Sequence, residues 1–243
     1  MIKKTILSCP SLQVETLVDL KEYIYELNQK GKGGYSVAIN AEKIMMYRSN
    51  PDMKTSIDGS ILPSPDGVAV VIGYKWLYGV KTLRVDLPNT ILDLANEKKL
   101  RLFVLGAKEE VNARAAENIK DNFPSLVLSG RQNGYFKDPK VLKEQLKAAR
   151  PDFVFICMGS PKQEIMMTEL KEATPKAIFI GCGGALDVMS GQVKRAPMFY
   201  QNNGLEWFYR IMQRPSLVKR KWVYVPFMFL LIAEAIKQFF VKK

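Results

Sequence analysis

Histidine is missing from this chain altogether. Its absence excludes imidazole general bases, Ser-His-Asp triads and His-ligated metals, so proton transfer falls to other side chains. No Asp-x-Asp pair is present either, so that paired-carboxylate spacing for holding a metal ion is missing too. Cysteine is scarce. Cys9, Cys157 and Cys182 are odd in number and two lie in apolar runs, which argues against a disulfide framework and for a reducing compartment. No apolar run reaches the ~20 residues of a membrane span. Residues 1–5 lack the long apolar stretch of a signal peptide, so export is not expected. Internal repeats, low-complexity linkers and recognised nucleic-acid motifs are absent too.

What the chain has in excess is positive charge, with 36 Lys and Arg against 24 Asp and Glu, a net +12. That balance favours an anionic partner: nucleic acid, an anionic membrane surface or a phosphorylated substrate. The basic residues are dispersed, except for Lys194, Arg195, Arg210, Arg214, Lys219, Arg220 and Lys221 near the C-terminus. This distribution favours membrane plus phosphate over nucleic acid.

Two apolar runs, 153–158 and 177–180, each open into a glycine-containing turn. Side by side, such turns let backbone N–H groups approach a phosphate-bearing ligand. Around them, hydrophobic spacing predicts strands over 5–8, 35–39, 61–62, 102–105, 126–129, 153–158 and 177–180. Helices are predicted over 12–27, 41–47, 51–57, 88–98, 109–122, 139–149 and 162–171. Residues 68–78 are apolar nearly all round and read as a buried helix or strand. Strands separated by single helices imply an α/β fold with a mostly parallel, doubly wound sheet. Ligands bind such sheets beyond the carboxyl ends of the strands. Asn40, Asp66, residues 159–163 and residues 181–187 all follow predicted strands and converge there.

The C-terminal region differs in character. Residues 205–214 read as an amphipathic helix, with Trp207, Phe208 and Ile211 opposite Arg210 and Arg214. Basic residues 219–221 then precede an apolar run over 222–233. Basic flank, aromatics and apolar run together predict an interfacial segment, with Trp222 and Tyr224 at headgroup depth. The alternative is a C-terminal helix packed on the domain or on a second subunit.

Asn40, Pro65-Asp66-Gly67, Gly134-Tyr135-Phe136 and the run from Met158 to Glu164 are further joined by Gly183-Gly184 with Asp187, Arg195-Ala196-Pro197 and Leu205-Glu206-Trp207-Phe208-Tyr209-Arg210. In order and spacing this pattern resembles the TagA/WecG/CpsF family, bacterial glycosyltransferases of teichoic acid, common antigen and capsule synthesis. The resemblance implies a Rossmann-like core over residues 1–195 and a helical, membrane-associating appendage over 196–243. It implies inverting transfer of N-acetylmannosamine or its uronic acid from UDP onto N-acetylglucosamine carried on undecaprenyl diphosphate. It further implies a cytoplasmic protein, peripheral on the inner face of the membrane, for which a homo-oligomer is plausible. The chain departs from the family in two places. Ala38 stands where members carry threonine, and Lys81 and Arg84 stand at the arginine and glycine positions of a following motif.

Inverting transfer needs a base for the acceptor hydroxyl and stabilisation of the departing UDP. Asp66 lies in a Pro-Asp-Gly turn, a common structural signal in itself; the resemblance makes it the base. Asn40 reads as a helix cap, or as a group binding sugar hydroxyls or orienting Asp66. Gln163 is expected to bind uracil or the diphosphate, the alternative being an exposed first-turn residue. Glu164 is expected to be structural, favourable to a helix dipole. Gly159, Ser160, Lys162, Gly181, Gly183 and Gly184 are expected to border the nucleotide. Asp187 binds a ribose hydroxyl or caps a helix. Lys81, Arg84, Arg195, Arg210 and Arg214 are the candidate phosphate contacts. No cofactor is expected, and turnover is expected to be metal-independent. The non-enzymatic rival is a nucleotide-sugar-binding subunit of a membrane assembly complex, distinguished by its failure to release UDP when donor and lipid acceptor are mixed.

Overall fold

A computed structural model describes residues 1–194, 196–202, 209, 212 and 222–241. Its strands are β1 (Ile2–Ile6), β2 (Cys9–Gln13), β3 (Gly34–Ile39), β4 (Leu62–Pro65), β5 (Arg101–Gly106), β6 (Val127–Gln132), β7 (Phe153–Cys157) and β8 (Ile178–Gly181). The first helices are α1 (Leu17–Gln29), α2 (Ala41–Ser49), α3 (Pro51–Asp58), α4 (Val68–Tyr78), α5 (Leu87–Lys98) and α6 (Glu109–Asn122). They are followed by α7 (Pro139–Ala149), α8 (Lys162–Leu170), α9 (Ala185–Met189), α10 (Met198–Asn202) and α11 (Tyr224–Val241).

Six strands form one parallel sheet in the order β4-β3-β8-β7-β5-β6. Parallel strands need crossover helices, and those helices cover both faces, so the central strands read as unbroken apolar runs. All five residues of β7 are buried for that reason. Their alternation sorts them strictly. Phe153, Phe155 and Cys157 join the core beneath α1, α5, α6 and α9. Val154 and Ile156 join the core beneath α2, α3, α4, α7 and α8. Each buried phenylalanine adds about 1.5–3 kcal/mol of hydrophobic stabilisation. The Rossmann-like, doubly wound arrangement is as expected.

Two local readings need correction. The expected strand over 5–8 is a hairpin, with β1 and β2 antiparallel and Ile6 opposite Cys9. Leu7 and Ser8 make its two-residue turn, at φ 50° and 72°. Both central residues at positive φ suit the twist of a hairpin, but Leu-Ser lacks the Asn-Gly signature that makes such turns legible. The first helix accordingly starts late, at Leu17, where the Thr16 side chain accepts from the Asp19 N–H.

The ambiguous segment 68–78 is helix α4. It packs against β1 and α11 as well as contributing Val70 and Tyr74 to the sheet core, hence its nearly continuous apolar sequence. Helix α11 lies across α2 and α4, with Phe227 and Leu231 fully buried. Among the described residues, no helix is long and apolar enough to cross a membrane. The helix expected over 205–214 and the basic residues 219–221 lie outside the described residues, apart from Tyr209 and Met212.

Burial governs the thiols. The Cys9 thiol is pushed up to about 12, first by desolvation and then by the negative charge of Asp58. Desolvation, followed by the neighbouring Cys157, raises Cys182 well above the usual thiol range. A raised thiol pKa leaves little thiolate at pH 8, so alkylation of the native protein is expected to be slow at both positions. Peptide mapping after iodoacetamide treatment should show labelling at least about tenfold slower than in denaturant, because only the thiolate reacts.

Candidate functional site

Because all six strands run the same way, their carboxyl ends share one edge of the sheet, and two adjoining cavities lie there. The first, about 180 Å³, is bordered by Ala38, Ser64, Asp66, Arg84, Asp86, Gly181 and Cys182. The second, about 330 Å³, is bordered by Ala107, Tyr135, Met158, Gly159, Lys162, Gly183, Gly184 and Asp187. The loop after β8 therefore serves both. A third hollow of about 330 Å³, between α5, α6 and α9, shares Asp86 with the first. Its asparagine amides are engaged locally: Asn118 donates to the Met189 carbonyl at 2.8 Å and Asn122 to that of Asn118 at 2.7 Å.

Asp66 is placed by the end of β4. Its N–H donates to the Ile39 carbonyl at 2.8 Å, extending the β3–β4 pairing by one residue. Gly67 then turns the chain into α4 at φ 88°, a conformation that favours glycine, so the Asp-Gly order follows from the turn itself. Asn40 caps α2 by accepting from the Lys43 N–H at 3.0 Å. Its amide Nδ2 donates to Asp66 Oδ2 at 3.4 Å. The cap and the orienting group are thus one residue.

Arg84, rather than Lys81, borders the Asp66 cavity. Its loop is pinned on both sides, by Leu83 N–H donating to the Val14 carbonyl at 2.7 Å and Val85 N–H donating to the Pro65 carbonyl at 2.8 Å. Thr82 reinforces the arrangement, its hydroxyl accepting from the Val14 N–H at 3.0 Å. Lys81 is left exposed.

Beside the second cavity, Gly159 and Gly183 sit at φ 75° and 54° with open space where a side chain would stand. The Ser160–Pro161 peptide between the first turn and α8 is cis. Gln163 is not an exposed first-turn residue. It is only 7% accessible, and its Oε1 accepts from the Gly183 N–H at 2.9 Å. Its amide therefore ties the turn after β7 to the turn after β8. Gly181 gives it room: a Cβ there would meet Gln163 Nε2 at 2.8 Å. Ser160 and Glu164 share a partner that the sequence did not signal. Lys43 Nζ donates to Glu164 Oε1 at 2.6 Å and also to Ser160 Oγ. Glu164 does sit in the first turn of α8, but as half of a buried ion pair rather than at the surface. Asp187 lies in the first turn of α9 and borders the second cavity.

Arg195, Arg210 and Arg214 lie outside the described residues. Tyr224 differs from expectation. It is partly buried against the core that α2 and α4 share, and its phenol is raised by desolvation first and then by the charges of Asp66 and Glu42. Its ring is committed to protein beside the acid, whereas Trp222 is 69% exposed.

A parallel sheet with a carboxylate and a cation in one cleft and glycine turns in the next is an α/β protein with a ligand site at its sheet edge. Comparison with known proteins specifies the class. Residues 5–240 match the glycosyl transferase WecG/TagA/CpsF family, and the chain belongs to it; it is a glycosyltransferase. It is 34% identical over 194 residues to the N-acetylglucosaminyldiphosphoundecaprenol N-acetyl-beta-D-mannosaminyltransferase of Bacillus spizizenii (strain ATCC 23059 / NRRL B-14472 / W23), covering 79% of this chain and 76% of that protein.

The pinned loop distinguishes the two cations. Arg84→Ala should lower the transferase kcat at least about tenfold, the scale of one charge-assisted hydrogen bond. Lys81→Ala should leave it within about twofold, and steady-state kinetics of both variants checks this.

Proposed function

We propose that the chain transfers N-acetylmannosamine from UDP to N-acetylglucosamine carried on undecaprenyl diphosphate, with inversion, in bacterial surface polysaccharide synthesis. The relative's name supports the sugar and the acceptor. The observation that carries the chemistry is the Asn40–Asp66 hydrogen bond at the rim of a cavity shared with Arg84.

In this reading the acceptor hydroxyl oxygen attacks the anomeric carbon as the bond from that carbon to UDP breaks. The hydroxyl proton passes to the Asp66 carboxylate, and the bonding electrons leave with the diphosphate. Asn40 holds Asp66 Oδ2, which fixes the direction from which the carboxylate approaches. Arg84 offsets charge on the leaving side, and the turns around Gly159 and Gly183 admit the nucleotide to the larger cavity. With neither histidine nor an Asp-x-Asp pair in the sequence, protein cations take the role a metal would otherwise fill.

Appendage residues 196–243 bring this site to the membrane. On α11, Val225, Phe229, Ile232, Ile236 and Phe239 form an outward stripe, each more than 40% exposed. Spacings of four and three put them on one face, opposite the docked Phe227 and Leu231. An apolar stripe on a chain of net charge +12 suits the anionic inner leaflet.

The decisive assay mixes UDP-N-acetylmannosamine with the lipid-diphosphate acceptor and reads the disaccharide by mass spectrometry. Transfer is expected with EDTA present; loss of all turnover in chelator would count against the metal-free scheme. Asp66→Asn should reduce kcat at least about 100-fold, the usual scale of a general base. Near wild-type turnover would remove Asp66 from the mechanism. Separately, Phe229→Ser with Ile236→Ser should weaken co-sedimentation with anionic vesicles at least about tenfold, by loss of buried apolar area. Unchanged sedimentation would exclude the stripe.

A further inference from the structure

The mechanism leaves one buried charged pair unexplained. Lys43, in the first turn of α2, and Glu164, in the first turn of α8, are 121 residues apart and their side chains are only 8% and 2% exposed. Withdrawing two charges from water carries a desolvation cost that their mutual attraction need not repay, so such a pair is weak evidence of stabilisation. This one is also incompletely satisfied: among the described residues, Glu164 Oε2 is buried without a hydrogen-bond partner. An apolar pair of similar volume would fill the space without that penalty.

Its position in the hydrogen-bond network supplies another role. Asp66 is held by Asn40, and Asn40 Oδ1 in turn accepts from the Lys43 N–H. Lys43 Nζ reaches Glu164 Oε1, which also accepts from Gln163 Nε2 at 3.1 Å. Gln163 Oε1 then holds the Gly183 N–H. One unbroken series of contacts therefore runs from the acid bordering the first cavity to a glycine turn bordering the second. Its central links, Lys43, Gln163 and Glu164, come from α2 and α8, whose apolar contacts with the sheet core would by themselves permit sliding. A short charged contact with fixed donors does not.

We infer that Lys43 and Glu164 are positioning residues that hold the base in register with the bound donor. Neither touches substrate in this scheme. The inference rests on the transferase reading above and extends it, because a group-transfer step is acutely sensitive to the placement of its reactants. An error of about 1 Å can cost on the order of 100-fold in rate.

The test uses full-length protein carrying Lys43→Met with Glu164→Leu, which removes both charges and leaves neither unpaired. Lys43→Met with Glu164→Gln is a second, more nearly isosteric version. Melting temperature, kcat and both KM values are measured against wild type, with rates taken well below each variant's Tm so that unfolding does not contribute. The expected result is a kcat at least about tenfold lower, with both KM values within about threefold. A larger share of UDP should also be released by donor hydrolysis instead of transfer. A purely structural pair would lower Tm and leave kcat and this partition unchanged. Either folded variant turning over at the wild-type kcat with wild-type coupling would overturn the inference while leaving the transferase reading intact. A wild-type chain that makes no disaccharide would overturn both.

Discussion

Parallel strands have all their carboxyl ends on the same side, and the function of this chain depends on that constraint. Crossover helices must return over both faces, which buries the strands and leaves only the turns at the sheet edge available for ligands. Asp66 enters by the turn after β4, Asn40 by the turn after β3, and the two glycine turns by β7 and β8. None is near another in sequence. The hydrogen bonds that extend the sheet, such as Asp66 N–H to the Ile39 carbonyl, also set the position of the Asp66 carboxylate. Stability and site geometry are therefore enforced by the same contacts.

The chemistry accommodates an unusual shortage. Without histidine, proton acceptance in the proposed scheme falls to a carboxylate and charge neutralisation to guanidinium and ammonium groups. Arginine suits the second task because its charge persists at any physiological pH and its fork matches phosphate oxygens. In the same proposed scheme the basic excess favours an anionic surface, so one compositional bias would serve both the leaving group and the location of the acceptor.

The sequence revealed the periodic and composition-driven features. Unbroken apolar runs at β7 and β8, helices between them and glycines after them were enough to infer a doubly wound sheet and its ligand edge. Asn40 and Asp66 were legible as strand-end residues. The features it concealed depend on an atypical turn or on contacts between distant segments. Nothing near Leu7 and Ser8 announces a hairpin, because neither residue is a customary turn former. The choice of Arg84 over Lys81 depends on hydrogen bonds to Val14 and Pro65 that fix which way the loop faces. Gln163 was expected at the ligand edge, but nothing in the sequence signalled that its side chain is buried and crosses to the next loop. A lysine at 43 and a glutamate at 164 have no local pattern that pairs them.

The loop after β8 is a party wall. Gly181 and Cys182 face one cavity, and Gly183 and Gly184, next in the chain, face the other. A backbone adjustment on one side of such a wall is transmitted to the other. During evolutionary divergence, the shapes of the two cavities cannot drift independently through this segment, and a change that reshapes it alters both together. Independent variation is left to the outer walls: Tyr135 beside the larger cavity, and the 81–86 loop, carrying Arg84, beside the smaller. Relatives that have changed only one of their two substrates are therefore expected to differ there, with the glycine wall retained.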